Sequence, residues 1–265
     1  MLGKRIISSV ILIGMITASI FIDWVCGLLV TAFIVVGLYE FFTMLEKKGI
    51  SIYKYFGIAM GALIPISLIF RFETTKKWEL LFAVLALLFL ILMQFRRRQS
   101  SGVIVGISTT IFGILYVSWF LSFLIRIRYL AGGIGLFTSI LLISKSGDIG
   151  AYLIGSRFGK TPLMPRISPK KSVEGALAGL IFNILGALAS RQFLNLPIPY
   201  LVSLGIIMGI LGQLGDLSES LMKRDCQVKD SGRVIPGMGG VLDIIDSLLF
   251  TAPVFYFYMS TVLKL

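Results

Sequence analysis

Long apolar runs alternate with short polar connections along most of this 265-residue chain. A helix needs about 20 predominantly apolar residues to cross the hydrocarbon core of a bilayer. The runs approach or reach that length and predict nine membrane-spanning helices, at residues 6–22, 24–42, 55–71, 79–95, 103–125, 133–154, 173–190, 199–221 and 242–262. Asp23 alone separates the first two runs, which indicates a tight helical hairpin.

Composition supports an all-α integral membrane protein. Hydrophobic residues make up 57% of the chain and charged residues only 14%, against roughly 25% charged residues in soluble domains. The chain contains no histidine, which excludes a histidine general base, a Ser-His-Asp triad and histidine metal ligands. Cys26 and Cys226 are far apart, so neither a disulfide framework nor a zinc site is indicated.

The distribution of basic residues predicts the orientation of the chain. If alternate loops lie on opposite sides, 17 Lys and Arg residues fall on one side and 7 on the other, with Lys145 inside a span. Basic residues collect in cytoplasmic loops, which predicts a cytoplasmic N-terminus and an external C-terminus. We therefore interpret the net charge of +12 as a topology signal in an inner or plasma membrane, and not as a sign of nucleic-acid binding.

The chain divides near residue 130 by the position of its acidic residues. Residues 1–130 are predicted to form N-terminal transmembrane helices, and residues 131–265 a transmembrane catalytic region with cytoplasmic loops at 155–172 and 222–241. Ionisable residues within membrane spans are candidates for function. The second half carries such acids within or beside its spans, namely Asp148, Glu174, Asp216, Glu219, Asp243 and Asp246.

Two pairs of acids are predicted to lie at the same depth. Asp216 and Glu219 share one face of the eighth helix, and Asp243 and Asp246 share one face near the start of the ninth. Converging carboxylates repel one another unless cations separate them, and Mg²⁺ takes oxygen ligands together with substrate phosphates. The alternatives are a surface salt bridge between Glu219 and Lys223, and ordinary helix capping by the two aspartates.

The loop between these helices is basic and rich in glycine. Its cations are Lys223, Arg224, Lys229 and Arg233, and its glycines are Gly232, Gly237, Gly239 and Gly240. Glycines let backbone N–H groups approach an anion closely. Binding to anionic lipid headgroups explains the cations alone, but cations interleaved with carboxylates favour a metal–polyphosphate pocket.

The segment 145–175, KSGDIGAYLIGSRFGKTPLMPRISPKKSVEG, is predicted to lie on the same membrane face. Lys145 and Asp148 are spaced to pair within the sixth helix. The end of the segment indicates the start of a helix, with Pro169 or Ser172 near the cap and Glu174 in the first turn. The basic residues of the loop are Arg157, Lys160, Arg166, Lys170 and Lys171.

With these residues assembled, the chain resembles the phosphatidate cytidylyltransferases, also called CDP-diacylglycerol synthases. The similarity covers about residues 145–247 and rests on the D-x-G-A-Y…G-R-x-F-G-K…I-S-P-K-K-S-x-E-G pattern from Asp148 to Gly175. It rests also on a second signature, matched by Ser220, Lys223, Arg224, Lys229, Asp230, Gly232, Ile235, Pro236, Gly239, Gly240, Asp243 and Asp246. Two positions depart from it, because Met238 replaces a histidine and Ile244 an arginine.

The resemblance implies that CTP and phosphatidic acid, held at the bilayer, react to give CDP-diacylglycerol and pyrophosphate. A phosphate oxygen of the lipid attacks the α-phosphate of CTP, and this phosphomonoester, with a second pKa of about 6, is largely anionic at neutral pH without a histidine base. The implied ligands of Mg²⁺, in two cation sites, are Asp216, Glu219, Asp243 and Asp246. The implied catalytic residues are Asp216, Asp243, Asp246 and Lys223. The implied substrate-binding residues are Arg224, Lys229, Asp230, Gly239, Gly240, Arg166, Ser168, Lys170 and Lys171.

Two other functions are kept as alternatives. An ion-coupled secondary transporter would carry intramembrane acids, but it predicts inverted repeats and broken helices near the midplane. We find no repeat, and the acids cluster at one face. A CDP-alcohol phosphotransferase would need a D-G-x2-A-R array, which the chain lacks. A homodimer is considered as the assembly.

Overall fold

The fold is a bundle of helices with one small β-hairpin. The computed structural model describes residues 2–70, 77–95, 101–237 and 239–262. Helices in these residues are α1 (Leu2–Phe21), α2 (Asp23–Lys47), α3 (Lys54–Ile69), α4 (Lys77–Gln94), α5 (Val103–Gly113), a π-helical segment (Ile114–Trp119), α6 (Phe120–Tyr129), α7 (Gly133–Phe158), α8 (Val173–Ala189), α9 (Arg191–Leu194), α10 (Ile198–Asp225) and α11 (Leu242–Val262). Strands β1 (Pro162–Met164) and β2 (Ser168–Ser172) pair antiparallel between α7 and α8.

The described helices agree with the predicted apolar runs, each of which coincides with a helix. Within the described part of the chain, five are long and apolar enough to cross a membrane, at Asp23–Lys47, Val103–Tyr129, Gly133–Phe158, Ile198–Asp225 and Leu242–Val262. Helices α7 and α10 extend beyond the predicted ends of their spans, so the connections that follow them are shorter than the predicted loops. Met238 lies outside the described residues.

The predicted hairpin between the first two helices is present. Helix α1 ends at Phe21 and α2 begins at Asp23. Arg128, near the end of α6, is buried and donates from Nη2 to Asp23 Oδ1 at 2.6 Å and from Nε to the carbonyl oxygen of Ile20 at 3.0 Å. This one guanidinium therefore closes the hairpin and joins it to α6.

Small residues let α7 and α8 pack closely. A Cβ atom on Gly147 would lie 2.0 Å from Nδ2 of Asn183, and one on Gly150 would lie 2.3 Å from the ring of Phe182. Ser146 Oγ donates to the carbonyl oxygen of Phe182 at 3.1 Å. In lipid, helices associate through such close van der Waals contact and interhelical hydrogen bonds. The β-hairpin connects α7 to α8 and therefore lies at one end of this helix pair.

The start of α8 is fixed by side-chain hydrogen bonds. Ser172 is the N-cap, since its Oγ accepts from the backbone N–H of Gly175 at 3.1 Å. Glu174 lies in the first turn, as predicted, and accepts from the backbone N–H groups of Lys160 and Thr161 at 3.1–3.2 Å. Pro169 lies in β2, so Ser172 is the cap of the two candidates.

Helices α10 and α11 meet where their acids lie. A Cβ atom on Gly215 would lie 2.5 Å from the carbonyl oxygen of Asp246, so only glycine permits this approach of the two backbones. The contact brings the adjacent residue, Asp216, to the level of Asp246. The two helices therefore converge where their acids lie, as the predicted common depth of these acids implies.

Candidate active site

Asp243, in the first turn of α11, organises the loop that precedes it. Its Oδ2 accepts from Ser231 N at 3.1 Å, Ser231 Oγ at 2.9 Å and Gly240 N at 2.8 Å. Gly239 has a φ of +104°, a conformation that L side chains rarely adopt. The loop therefore folds back so that its N–H and O–H groups converge on one carboxylate oxygen.

Glu40 of α2 binds the same loop from the other side. It is 2% exposed, and its carboxylate accepts from the backbone N–H groups of Val241 at 3.1 Å and Leu242 at 3.0 Å, and from Ser231 Oγ at 3.3 Å. The first N–H groups of a helix have no partner within the helix. The Glu40 carboxylate, about 200 residues away in sequence, is the hydrogen-bond acceptor for two N–H groups at the start of α11.

Lys223 of α10 lies between two carboxylates. Its Nζ donates to Glu219 Oε2 and to Asp243 Oδ1, both at 2.5 Å. The side chains of Lys223, Glu219 and Asp243 are 11%, 0% and 14% exposed, respectively. We call Glu219, Lys223 and Asp243 the buried cluster. The predicted pairing of Glu219 with Lys223 is present, but it lies inside the protein and not at its surface.

A second group of carboxylates is more accessible. The outer cluster comprises Asp148 of α7, Asp216 of α10 and Asp246 of α11. Asp246 lies within electrostatic range of the other two and of Glu219. Asp216 forms an ion pair with Lys171 of β2. The side chains of Asp148 and Asp216 are 48% and 37% exposed, so these two members of the outer cluster are open to solvent-borne ligands, whereas Asp246 is half-buried.

Lys145 and Ser247 connect the outer cluster to its surroundings. Lys145 Nζ donates to Asp148 Oδ2 at 2.7 Å and to the carbonyl oxygen of Ile244 at 3.4 Å. The first of these contacts confirms the predicted pairing of Lys145 with Asp148 within α7. Ser247 Oγ donates to Asp148 Oδ2 at 3.5 Å. These contacts join α7 to α11 at the level of the acids.

The two basic loops approach each other, as their predicted common face implies. Arg224 Nε donates to the carbonyl oxygen of Ile167 at 3.1 Å, and its Nη1 donates to that of Val228 at 3.3 Å. Arg224 thereby bridges the β-hairpin and the loop after α10. Of the other predicted substrate-binding residues, Arg166, Lys170, Lys229 and Asp230 are exposed, whereas Ser168, Lys171 and Gly239 are half-buried and Gly240 is buried.

The fit of the acids to a metal ion is uneven. Among the described residues, no group of three or more Asp, Glu, Cys or His side chains is positioned to hold an ion directly. Asp243 is the poorest candidate, because both of its oxygens already accept hydrogen bonds. Glu219 Oε1, in contrast, is buried and has no hydrogen-bond partner in the described structure. This atom, with Asp216 and Asp246, offers the hard oxygen donors that Mg²⁺ prefers.

Comparison with known proteins identifies the family. The family model described as the cytidylyltransferase family matches residues 3–262. The chain belongs to the cytidylyltransferase family. It is 32% identical to a phosphatidate cytidylyltransferase of a Synechocystis species, over 98% of this chain and 97% of the relative. It is 34% identical to a protein of that name from Bacillus subtilis, over 94% and 96%, and 32% identical to one from Thermotoga maritima, over 86% and 85%.

In this cytidylyltransferase, the four predicted metal ligands are divided between the two clusters. Asp216 and Asp246 belong to the outer cluster, whereas Glu219 and Asp243 are held by Lys223. Sequence reasoning missed Glu40, because it assigned chemistry to the second half of the chain. One signal could have found it, since Glu40 is an acid inside the predicted span 24–42.

We expect Glu40→Gln to lower both thermal stability and turnover. The amide keeps the size of the side chain but replaces an acceptor with a donor, which leaves a buried N–H of Val241 or Leu242 without a partner. An unsatisfied buried donor costs about 1–3 kcal/mol. The matched control is Asp225→Asn at the end of α10, where a 63% exposed carboxylate pairs with Lys48 at the surface. Equal unfolding midpoints for the two variants in detergent would contradict the capping role.

Proposed function

We propose that this chain is a phosphatidate cytidylyltransferase, which transfers CMP from CTP to phosphatidic acid and releases pyrophosphate. Relatives of that name align over most of the chain, and the site has the charges that a nucleoside triphosphate and a lipid phosphomonoester require. The observation that carries the proposal is the outer cluster with Lys171 at its edge, an acidic site bordered by phosphate-binding cations. Two alternatives, a transporter and a CDP-alcohol phosphotransferase, have no comparable support.

The residues divide into roles by their positions. Mg²⁺, when bound, would neutralise and align the phosphates, and Asp216, Asp246 and Glu219 would hold it. Asp243 and Lys223 position the loop and α10 beneath the substrates. Lys171, now paired with Asp216, is placed to exchange that carboxylate for a substrate phosphate. The exposed cations Lys170, Lys229 and Arg166 extend the phosphate-binding surface across both loops.

The lipid phosphate is the nucleophile, so the chain does not need to supply a general base. A phosphomonoester has a second pKa of about 6 and is largely a dianion at neutral pH. Catalysis then consists of holding this anion in line with the α-phosphate of CTP and neutralising the charge that passes to pyrophosphate. Lys171 and Arg224 lie on the side of the site formed by the β-hairpin, where they can orient these groups.

The same proposal includes the membrane arrangement. We place nine helices across the cell membrane, with the N-terminus in the cytoplasm, the C-terminus outside and the site on the cytoplasmic face. The uneven distribution of Lys and Arg supports this orientation. The cytoplasmic face is where CTP is dissolved, whereas phosphatidic acid reaches the same site from the bilayer. Homodimerisation stays a prediction.

We expect purified protein to form labelled CDP-diacylglycerol from radiolabelled CTP and dioleoyl phosphatidic acid in the presence of Mg²⁺. Adding EDTA should abolish product formation, and restoring Mg²⁺ should recover it, because the outer cluster alone would repel both the triphosphate of CTP and the lipid phosphate. Product that persists in excess EDTA would contradict the metal proposal. A folded protein that forms no CDP-lipid under any of these conditions would contradict the enzymatic proposal itself.

A further inference from the structure

A cavity of about 700 Å³ lies beside the acidic clusters, between the α5–α6 run and helices α10 and α11. Its walls are almost entirely apolar and mostly aromatic. It is lined by Phe112, Leu115, Tyr116, Trp119, Phe120, Phe123, Ser218, Leu221, Met222, Phe250, Pro253 and Phe257. Its volume lies within the range of about 300–1,000 Å³ that is typical of ligand sites. Every lining residue belongs to a helix that is long and apolar enough to span the membrane.

The π-helical segment forms one wall of this cavity. It places Tyr116 and Trp119 among the lining residues. Single π-helical turns inside α-helices occur frequently at functional sites. The Tyr116 ring stacks on Phe112 with a centroid separation of 5.4 Å and contacts Phe250 at 6.1 Å, so surrounding aromatic rings fix its position.

The hydroxyl group of Tyr116 has no hydrogen-bond partner in the described structure, although the residue is only 3% exposed. Buried polar groups are normally hydrogen-bonded, and one without a partner calls for an explanation. Tyr116 lies within electrostatic range of Glu219, Asp246 and Asp216. Glu219 Oε1 and the Tyr116 hydroxyl are thus two buried polar atoms without a partner in the described structure. Phe250, which contacts the Tyr116 ring, lies one helical turn from Asp246 on α11.

We propose that this cavity receives an acyl chain of the lipid substrate, and that the Tyr116 hydroxyl donates a hydrogen bond to an oxygen at the polar end of that lipid. The inference rests on the function proposed above. An apolar cavity among helices that are long and apolar enough to span the membrane fits a hydrocarbon chain. Phe250 of its wall lies one helical turn from Asp246 on α11, so the phosphate attached to such a chain would lie near the outer cluster. A single polar donor at the junction fits an amphipathic ligand, whereas a purely apolar occupant would leave it unpaired.

The first test removes only the hydroxyl. Tyr116→Phe keeps the aromatic stack, and we expect kcat/KM for dioleoyl phosphatidic acid to fall about tenfold, the equivalent of one hydrogen bond. The KM for CTP should stay unchanged. Tyr55→Phe, at an 81% exposed tyrosine on α3, serves as the matched control. An unchanged kcat/KM for the lipid in Tyr116→Phe would overturn the role of the hydroxyl.

The second test fills the cavity. Leu221→Trp adds bulk to its wall, and we expect activity with dioleoyl phosphatidic acid to fall about tenfold more than activity with dihexanoyl phosphatidic acid. Leu185→Trp on α8 is the control, because Leu221 and Leu185 are 48% and 53% exposed and Leu185 does not line the cavity. Equal losses with both lipids would overturn the acyl-chain assignment.

A binding measurement separates this inference from the enzymatic proposal. Wild-type protein in nanodiscs is labelled with a phosphatidic acid that carries a diazirine on its acyl chain. We expect labelling of Tyr116, Phe120 or Met222 that excess dioleoyl phosphatidic acid removes and dioleoyl phosphatidylcholine does not. If the protein lacks transferase activity, this labelling still decides whether the cavity binds the lipid. Labelling spread evenly over lipid-facing helices, or competed equally by both lipids, would overturn the inference.

Discussion

Replacing Asp246 with asparagine is expected to abolish CDP-diacylglycerol formation while leaving the protein folded in detergent. Asp246 is the member of the outer cluster that lies within range of Asp148, Asp216 and Glu219 together. The substitution keeps an amide oxygen but removes the negatively charged ligand around which the proposed cation would be held. Removing one preorganised electrostatic contact commonly costs a factor of about 10²–10³ in turnover, and we expect a loss of at least this size.

Asp225→Asn is the matched control for this prediction. Asp225 ends α10, is 63% exposed and pairs with Lys48 at the surface, where such a pair contributes about 0–1 kcal/mol. Its turnover should match that of the wild type. Thermal unfolding of both variants should stay close to that of the wild type, which separates a catalytic loss from a folding defect. Retained turnover in Asp246→Asn would overturn the metal assignment.

Lys223→Met should give the largest loss of stability. Lys223 is the shared cation of Glu219 and Asp243, and the substitution leaves two carboxylates inside the protein without compensation. Removing one partner of a buried ion pair costs about 3–5 kcal/mol. We expect a clear drop in the unfolding midpoint, together with loss of turnover, because Asp243 organises the loop before α11.

Two further variants test the electrostatic origin of that loss. Lys47→Met, at an exposed lysine near the end of α2, should leave the unfolding midpoint unchanged. The double variant Lys223→Met, Glu219→Gln should be more stable than Lys223→Met alone, because one of the two uncompensated charges is removed. If the double variant is less stable than Lys223→Met, the charge argument is wrong and the packing of the lysine side chain dominates.

The helices and the family were accessible from sequence because both depend on local information. The apolar runs predict helices where the described structure has them, since a helix satisfies its backbone within one segment of the chain. The pairing of Lys145 with Asp148 depends on residues three apart, so spacing alone predicts it. Spacing left both Pro169 and Ser172 as candidates for the cap of α8, and the structure selects Ser172. The signature from Ser220 to Asp246 indicates the family that the comparisons show.

The arrangement of the acids was only partly accessible. The equal spacing within each pair predicted that Asp216, Glu219, Asp243 and Asp246 together hold the metal ions. In the fold, Lys223 lies between two of these acids, Glu219 and Asp243. The face of α10 that turns toward α11 is set by the close approach at Gly215. That contact joins two helices and has no signature in either helix alone. The sequence therefore predicted that these four acids lie near one another, but not their division into two clusters.

Apolar length and motif spacing are local properties, so they alone indicate a mainly helical membrane protein of the cytidylyltransferase family. They did not predict the β-hairpin, which lies inside the predicted loop 155–172. Three features depend on the tertiary structure: Glu40 caps α11, Lys223 is buried between two carboxylates, and Tyr116 is buried in the wall of an aromatic cavity with its hydroxyl unpartnered in the described structure. The physical reason is the same in each case. These contacts join residues from helices distant in sequence, and close helix packing in the bundle sets which side chains meet.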